Sequence, residues 1–329
     1  MLELKAMLSN SGWGWLCSCP LEENLMLSEP AWRALVKALS AFSSCFCPVS
    51  KLKPSLGRKD MCDMLILCCK IIVTHPSAEM MLKIRKSQQA ARYLQLLQTS
   101  LKALGQLMVV LLETETTSGF FQNVVHRSMT SGNMWERKRA LQTCSQLLAA
   151  CEERGRGDAC KHFGSLVGLL APLTCDPMPT SRQLAVTCLS SLLRIQAKAT
   201  NRVIQTGDIG SLCEGLNDCS TICQLQTSSK IARIVCRSFS LEHTTDFMMA
   251  VKDTFRKAKG IRVRAAGKWL ITFLQMHGKD ICRDVRDFLP RVLDFCWLLH
   301  YTLCRLPLVL KKHSLSTEPG LGQGDWCEI

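Results

Sequence analysis

The chain has 329 residues, of which 47% are hydrophobic and only 6% are aromatic. Leu, Ala, Cys and Met therefore fill most apolar positions, which favours helix-on-helix packing over a β-sheet. The net charge of +14 indicates either a solvated basic surface or an acidic partner. Twenty cysteines without a convincing signal peptide argue against a secreted disulfide scaffold and predict free thiols in the reducing cytoplasm.

The N-terminal part of the chain combines an irregular segment with apolar helices. Residues 1–27 show no clear element, and the helical array is predicted over residues 28–305. Ser28-Glu29-Pro30 is typical of a helix start, because Pro is tolerated in the first turn. Further helices are predicted over Arg58 to Thr74 and Glu79 to Leu112. Leucines spaced three and four apart in the second of these predict a core-facing stripe.

A recurrent template organises the middle of the chain. A polar residue opens a helix, a small residue follows three places later, and apolar residues follow four and seven places after that. The opening positions are Arg137, Arg182, Gln224 and Arg264, so the steps are 45, 42 and 40 residues. This period, with two helices in each repeat, is typical of HEAT or armadillo arrays. The sequence thus predicts an all-α fold, a right-handed α-solenoid of helical pairs.

Several of these segments resemble the maestro heat-like repeat family: Met134 to Gln196, Ser181-Arg182…Ala185 and Val263-Arg264…Gly267. The resemblance covers about residues 60–290. Members of that family are generally long arrays of paired helices without a recognised catalytic site. The resemblance therefore implies a non-catalytic scaffold, supplies no functional residues to carry over, and implies a truncated form, since the chain is shorter than most members.

The chain offers little that is typical of an active site or a metal site. Two Cys-x-Cys pairs could ligate zinc, but a one-residue gap is shorter than the usual spacing, so apolar filler is the favoured interpretation. Those cysteines are Cys17, Cys19, Cys45 and Cys47. Cys160 and His162 are two residues apart and do not face each other on a helix. We predict no enzyme, cofactor, metal or small-molecule substrate, and rank a thiol-dependent activity last.

The best candidate binding site is a basic run with one acidic residue, Asp253. Its members are Lys252, Arg256, Lys257, Lys259, Arg262, Arg264 and Lys268. The run spans the end of one helix, a turn and the start of the next, and predicts contact with an acidic protein segment. The competing interpretations are stabilisation of a helix C-terminus and pairing of Arg264 with a turn carboxylate of a neighbouring repeat. An anionic membrane or nucleic acid is the alternative partner, although no aromatic stacking set interleaves the cations.

The C-terminal part contains the most membrane-like segment, Phe288–Leu310. It carries Pro290, Arg291 and Asp294, which favour a terminal repeat helix over a membrane-spanning one. The spanning helix remains the alternative. Residues 306–329 are rich in Gly, Ser and Pro and are predicted to form a disordered tail.

Overall fold

A computed structural model describes residues 73, 90–111, 126–153, 161–200, 215–218 and 220–281. The chain divides into two compact units, Met1–Met276 and His277–Ile329. The second unit contributes only residues 277–281 to the described part. The predicted segments 1–27, Phe288–Leu310 and 306–329 lie outside the described residues, so those predictions stay predictions.

Every regular element in the described part of the chain is a helix, which confirms the predicted all-α fold. The α-helices are α1 (Ala90–Leu111), α2 (His126–Met129), α3 (Met134–Glu153), α4 (Phe163–Leu170), α5 (Pro179–Thr200), α6 (Thr221–Cys236), α7 (Thr244–Lys257) and α8 (Ile261–Ile281). Two 3-10 helices, Ala171–Cys175 and Leu241–His243, follow α4 and precede α7.

The predicted pairing of helices is present in α2 with α3, α4 with α5 and α7 with α8. The opening positions of the template lie in α3, α5, α6 and α8, and most of the segment predicted to pair with α6 lies outside the described residues. One predicted boundary is wrong, because residues 199 and 200, which were expected to begin a new helix, belong to α5. The leucine stripe of α1 is buried as predicted at Leu97, Leu101 and Leu104.

The small residues of the template lie where neighbouring helices approach. Ala140 of α3 and Ala185 of α5 are buried, and these two helices pack along each other. Gly267 of α8 is also buried, whereas Thr227 of α6 is only half-buried. The spacing rule therefore places the tight contacts correctly in three of the four repeats.

Helix α4 packs directly on α7, although α5 and α6 lie between them in the sequence. Two glycines of α4 make this approach possible. A Cβ atom on Gly168 would lie 2.8 Å from the Phe247 carbonyl oxygen, and one on Gly164 would collide with the His243 carbonyl oxygen. In an ideal solenoid each repeat touches only its neighbours. The contact between α4 and α7 bypasses the repeat that contains α6, so the repeat period alone does not predict it.

An aromatic cluster fills the core at this contact. The Phe239 ring meets the rings of Phe163, Phe247 and Phe273 edge-on, with centroids 5.1 to 5.2 Å apart. Edge-to-face pairs of this kind add about 0.5 to 1.5 kcal/mol each beyond the burial of their area. Among the described helices, none is both long enough and apolar enough to cross a membrane.

Candidate functional site

The turns before the second helices follow one hydrogen-bonding plan. A side-chain oxygen of the turn accepts the backbone N–H two residues later, as in Ser131 to Asn133, Asp176 to Met178 and Asp218 to Ser220. Such turns fix the chain direction just before a helix begins. The fourth turn, Ala258–Gly260, lacks a side chain of this kind and instead holds Gly260 at φ 65°.

The template's opening residue then closes each of the first three turns. Arg137, Arg182 and Gln224 each donate from a terminal side-chain nitrogen to the carbonyl oxygen six residues earlier, at 2.9 Å in every case. The acceptors are the carbonyl oxygens of Ser131, Asp176 and Asp218. The polar residue that opens each helix is thus a structural clamp on its own turn.

The two arginines also reach the following turn. Arg137 donates from Nε to Oδ2 of Asp176 at 2.6 Å, and both side chains are buried. Arg182 donates from Nε to the Leu216 carbonyl oxygen at 2.7 Å. Because a guanidinium has five N–H groups in a fixed fork, one side chain can join two turns. Gln224 has a single amide nitrogen, and that nitrogen closes its own turn.

The fourth opening residue does not follow the plan. Arg264 is exposed, and the buried arginine of α8 is Arg262, which is 7% exposed. The Nη1 atom of Arg262 lies 3.4 Å from the Ser131 carbonyl oxygen, the acceptor that Arg137 also uses. Burial, then the neighbouring Arg137, lower the pKa of Arg262 to about 10, against the attraction of Asp176. Arg262 is therefore still protonated at neutral pH.

This geometry corrects the predicted basic site in one member. Arg262 is part of the core contact between the first and last described turns, so it is not available to a partner. The predicted pairing of Arg264 with a turn carboxylate is also not found, since Arg264 is exposed and pairs with no carboxylate of the described residues. Lys252 is half-buried and makes an interaction of its own.

The remaining five members of the basic run lie on the surface. Arg256 and Lys257 end α7, Lys259 lies in the turn, and Arg264 and Lys268 are one turn apart on α8. The single acid of the run, Asp253, is engaged elsewhere: its Oδ2 atom lies 3.0 Å from Nε2 of His126. Asp253 precedes Lys257 by one turn of α7, so five exposed cations share a single carboxylate of their own run. We call these five residues the basic turn.

The described cysteines are packing residues. Cys144, Cys151, Cys188 and Cys236 are free and buried, as predicted. The neighbouring Cys144 thiol and burial raise the pKa of Cys188 well above its usual range, and burial raises the pKa of Cys236 to about 12. Protonated, buried thiols are poor nucleophiles.

The other predicted chemical residues are not described by the structure. The zinc candidates Cys17, Cys19, Cys45 and Cys47, and Cys160, lie outside the described residues. Within the described ranges, no three His, Cys, Asp or Glu side chains form a group that could hold a metal ion.

The repeat geometry agrees with comparisons to known proteins. The family described as "Maestro, HEAT repeats" matches residues 135–294, which include α4 to α8 and nearly all of α3. Residues 135–294 are a Maestro HEAT-repeat array. The resemblance predicted from the template is thereby confirmed.

Two relatives extend this finding. Maestro heat-like repeat-containing protein family member 2A of Mus musculus and of Homo sapiens are each 28% identical to the chain over 207 residues. The match covers 59% of the chain but only 12% of either relative, so the chain spans a small part of their length. No solved structure matches the chain.

Within this Maestro HEAT-repeat array, sequence reasoning missed a second basic surface. Helix α6 exposes Lys230, Arg233 and Arg237, which recur three and four residues apart and therefore share one helix face. The signal was present in the sequence, because residues 219–241 contain no Asp or Glu. It was missed because these cations are spread over a helix instead of crowding a turn.

Proposed function

We propose that this chain is a non-catalytic protein-binding scaffold whose basic turn contacts an acidic segment of a partner. One observation carries the proposal: five cations of the basic turn are exposed, and their run supplies a single carboxylate, Asp253, against them. The net positive potential of such a surface attracts acidic segments and speeds their association.

The array suits this role because the buried sides of its helices pack against one another and leave the other sides exposed. The buried arginines of the template, Arg137 and Arg182, each join two turns of the array. A family built from HEAT repeats supports a scaffold, since stacked helical pairs present long surfaces to partners. The match covers a small part of the much longer relatives, so the proposal concerns this stretch alone.

We also propose the cytoplasm as the setting. The support is the use of free, buried thiols as core residues, for example Cys144 and Cys188 between α3 and α5. Such packing is compatible with a compartment that keeps thiols reduced. Fractionation of cells that express the tagged chain tests this proposal.

The test of binding is a charge reversal in the basic turn. Cells would express the wild type or a variant with Lys259→Glu, Arg264→Glu and Lys268→Glu, and proximity labelling would compare their partners. Arg262 is left intact because it is buried. The expected result is the loss of a defined set of proteins rich in acidic segments.

A matched control keeps the charge change constant. Lys102, Arg127 and Lys161 are exposed and lie outside the basic turn, so their reversal to Glu changes the net charge equally. Circular dichroism must show all three proteins equally helical. If the control loses the same partners, or the basic-turn variant loses none, the proposal is wrong.

The alternative is a basic adaptor for nucleic acid or an anionic membrane, favoured only by the net charge of +14. Binding of purified chain to single-stranded RNA or phosphatidylserine vesicles separates the two. Affinity for RNA should fall steeply with salt, because binding releases condensed counterions. Tight, salt-sensitive binding to either probe, with no protein partners lost on charge reversal, would favour the adaptor.

A further inference from the structure

Helix α6 presents an acid-free face to solvent. Along one side of the helix, exposed residues recur every three or four positions at Ile222, Gln226, Lys230 and Arg233, and Arg237 continues this row at the C-cap. The helix Thr221–Cys236 contains no Asp or Glu. One side of α6 therefore carries cations flanked by a large apolar side chain, Ile222, which is 68% exposed.

Helix α8 repeats this composition. Its exposed face carries Arg264, Lys268, Ile271 and Gln275 in the same spacing, and residues 261–276 contain no acid. Ile271 is 46% exposed and Met276 is 39% exposed. These apolar side chains add hydrophobic contact area beside the cations of α8.

The two helices are neighbours through their buried sides. Trp269 of α8 donates its indole N–H to the Ser228 hydroxyl of α6 at 2.9 Å, and both residues are fully buried. Because the helices bury these residues in one core, the opposite faces of both helices turn away from it. Helices α6 and α8 therefore meet at this contact, and each also carries an exposed face.

On helix α5, by contrast, two exposed cations are bound by another residue of the array, Glu152. Arg194 of α5 lies 3.5 Å from the Glu152 carboxylate, and Lys198 donates to the Glu152 carbonyl oxygen at 3.0 Å. In the described part of the chain, no carboxylate pairs with Lys230 or Arg233. The charges of Lys230 and Arg233 are available to a partner, whereas Arg194 and Lys198 of α5 already bind Glu152 within the array.

We propose that the exposed faces of α6 and α8 form one docking surface for an acidic amphipathic segment of a partner protein. The cations match its carboxylates, and Ile222, Ile271 and Met276 match its apolar residues. Nucleic acid fits less well, because no aromatic side chain ranks among the exposed large hydrophobics of the described residues. This inference rests on the proposed scaffold function and extends its site from the basic turn to α6.

Site-specific photo-crosslinking in cells tests the surface. A benzophenone amino acid would replace Gln226 on α6, Gln275 on α8 or, as the control, Gln183 on α5, all exposed glutamines. The full chain is used in each case. The expected products from positions 226 and 275 are the same partner peptides, rich in Asp and Glu with interleaved apolar residues, at yields at least about tenfold above position 183.

A charge reversal links the two faces. Lys230→Glu with Arg233→Glu should lower the crosslinking yield at position 275 by about tenfold, because both faces hold one segment. The paired change Ile222→Ser with Ile271→Ser should also lower it. Equal helicity and equal melting temperature would show that either loss concerns binding.

Three results would overturn the inference. These are yields at position 226 no higher than at 183, crosslinked peptides without an acidic excess, or crosslinks to RNA or lipid. Loss of partners on reversal of the basic turn, with no crosslinks at position 226, would reject the α6 face and keep the proposed function. Crosslinks at positions 226 and 275, with no partner lost on reversal of the basic turn, would keep the α6 face as a docking surface and reject the basic turn as the contact.

Discussion

Two junctions between repeats use different chemistry, although the same helix template leads into both. The turn before α3 is joined to the turn before α5 by a buried ion pair, Arg137 with Asp176. Helix α6 is joined to α8 and to the first 3-10 helix by neutral groups, since the Ser228 hydroxyl accepts from Trp269 and shares a hydrogen bond with Thr174 at 2.7 Å.

The difference shows that the turn, more than the helix, decides how a repeat is held. Where the turn supplies Asp176, a buried arginine can pair with it and reach two turns. Where the turn is Ala258–Gly260, it offers neither a carboxylate nor a hydroxyl, and Arg264 is left on the surface. The α6–α8 contact is then made between helix interiors, by a tryptophan and a serine.

The largest break should come at the ionic junction. Arg137→Met would leave the buried Asp176 carboxylate without its ion-pair partner and would remove the Nη1 donor that bonds to the Ser131 and Gly132 carbonyl oxygens. We expect a loss of about 3 to 5 kcal/mol in the free energy of unfolding. Urea denaturation measures it, and the exposed Arg264→Met is the matched control, expected within about 0.5 kcal/mol of the wild type. Equal losses in the two variants would contradict a structural role for Arg137.

A substitution at the neutral junction should cause a smaller loss in the free energy of unfolding. Ser228→Ala removes the acceptor of Trp269 and the partner of Thr174, leaving buried polar groups unsatisfied. We expect a loss of about 1 to 3 kcal/mol, again by urea denaturation.

The neighbouring Ser229 is the control for this variant. Its hydroxyl bonds to the Leu225 carbonyl oxygen within its own helix, so Ser229→Ala should change stability little. A Ser228→Ala variant as stable as Ser229→Ala would show that Trp269 packs without needing its hydrogen bond.

Arg262 is a second buried arginine to compare with Arg137. Among the described residues, no carboxylate lies within bonding distance of its guanidinium. Its guanidinium makes one long hydrogen bond, in which Nη1 lies 3.4 Å from the Ser131 carbonyl oxygen. Burying this charge is costly, so Arg262→Met should change stability by less than about 1 kcal/mol or even raise it. Thermal unfolding alongside Arg137→Met measures the difference. A loss as large as that of Arg137→Met would mean that Arg262 carries an equivalent junction.

The smallest effect should come from the half-buried pair of His126 with Asp253. Burial lowers the pKa of His126 from 6.5, and the Asp253 carboxylate only partly opposes this shift. The unfolded chain therefore takes up a proton at higher pH than the folded one, so stability falls as the pH drops below about 6.5.

Replacement of the imidazole tests this dependence. His126→Gln should flatten the decline between pH 7 and pH 5, measured by urea denaturation at each pH, while other groups continue to titrate in both proteins. If the two proteins decline in parallel, His126 does not titrate differently in the folded and unfolded chain.

The sequence by itself determined the helices, their pairing and the repeat, because these depend on apolar spacing within 20 to 45 residues. It also placed Ala140 and Ala185 at close contacts and the cysteines in the core. The basic turn was visible because its cations cluster along the chain, but the α6 face was harder to see.

Only the tertiary structure decided which cations serve the array and which face solvent. Arg262 and Arg264 are two residues apart and equally basic, yet one is buried against Ser131, which lies 131 residues away in the sequence. The direct contact of α4 with α7 and the bond between Ser228 and Trp269 arise in the same way. The free energy of a buried charge or hydroxyl depends on partners that folding brings from distant segments, and no local pattern contains them.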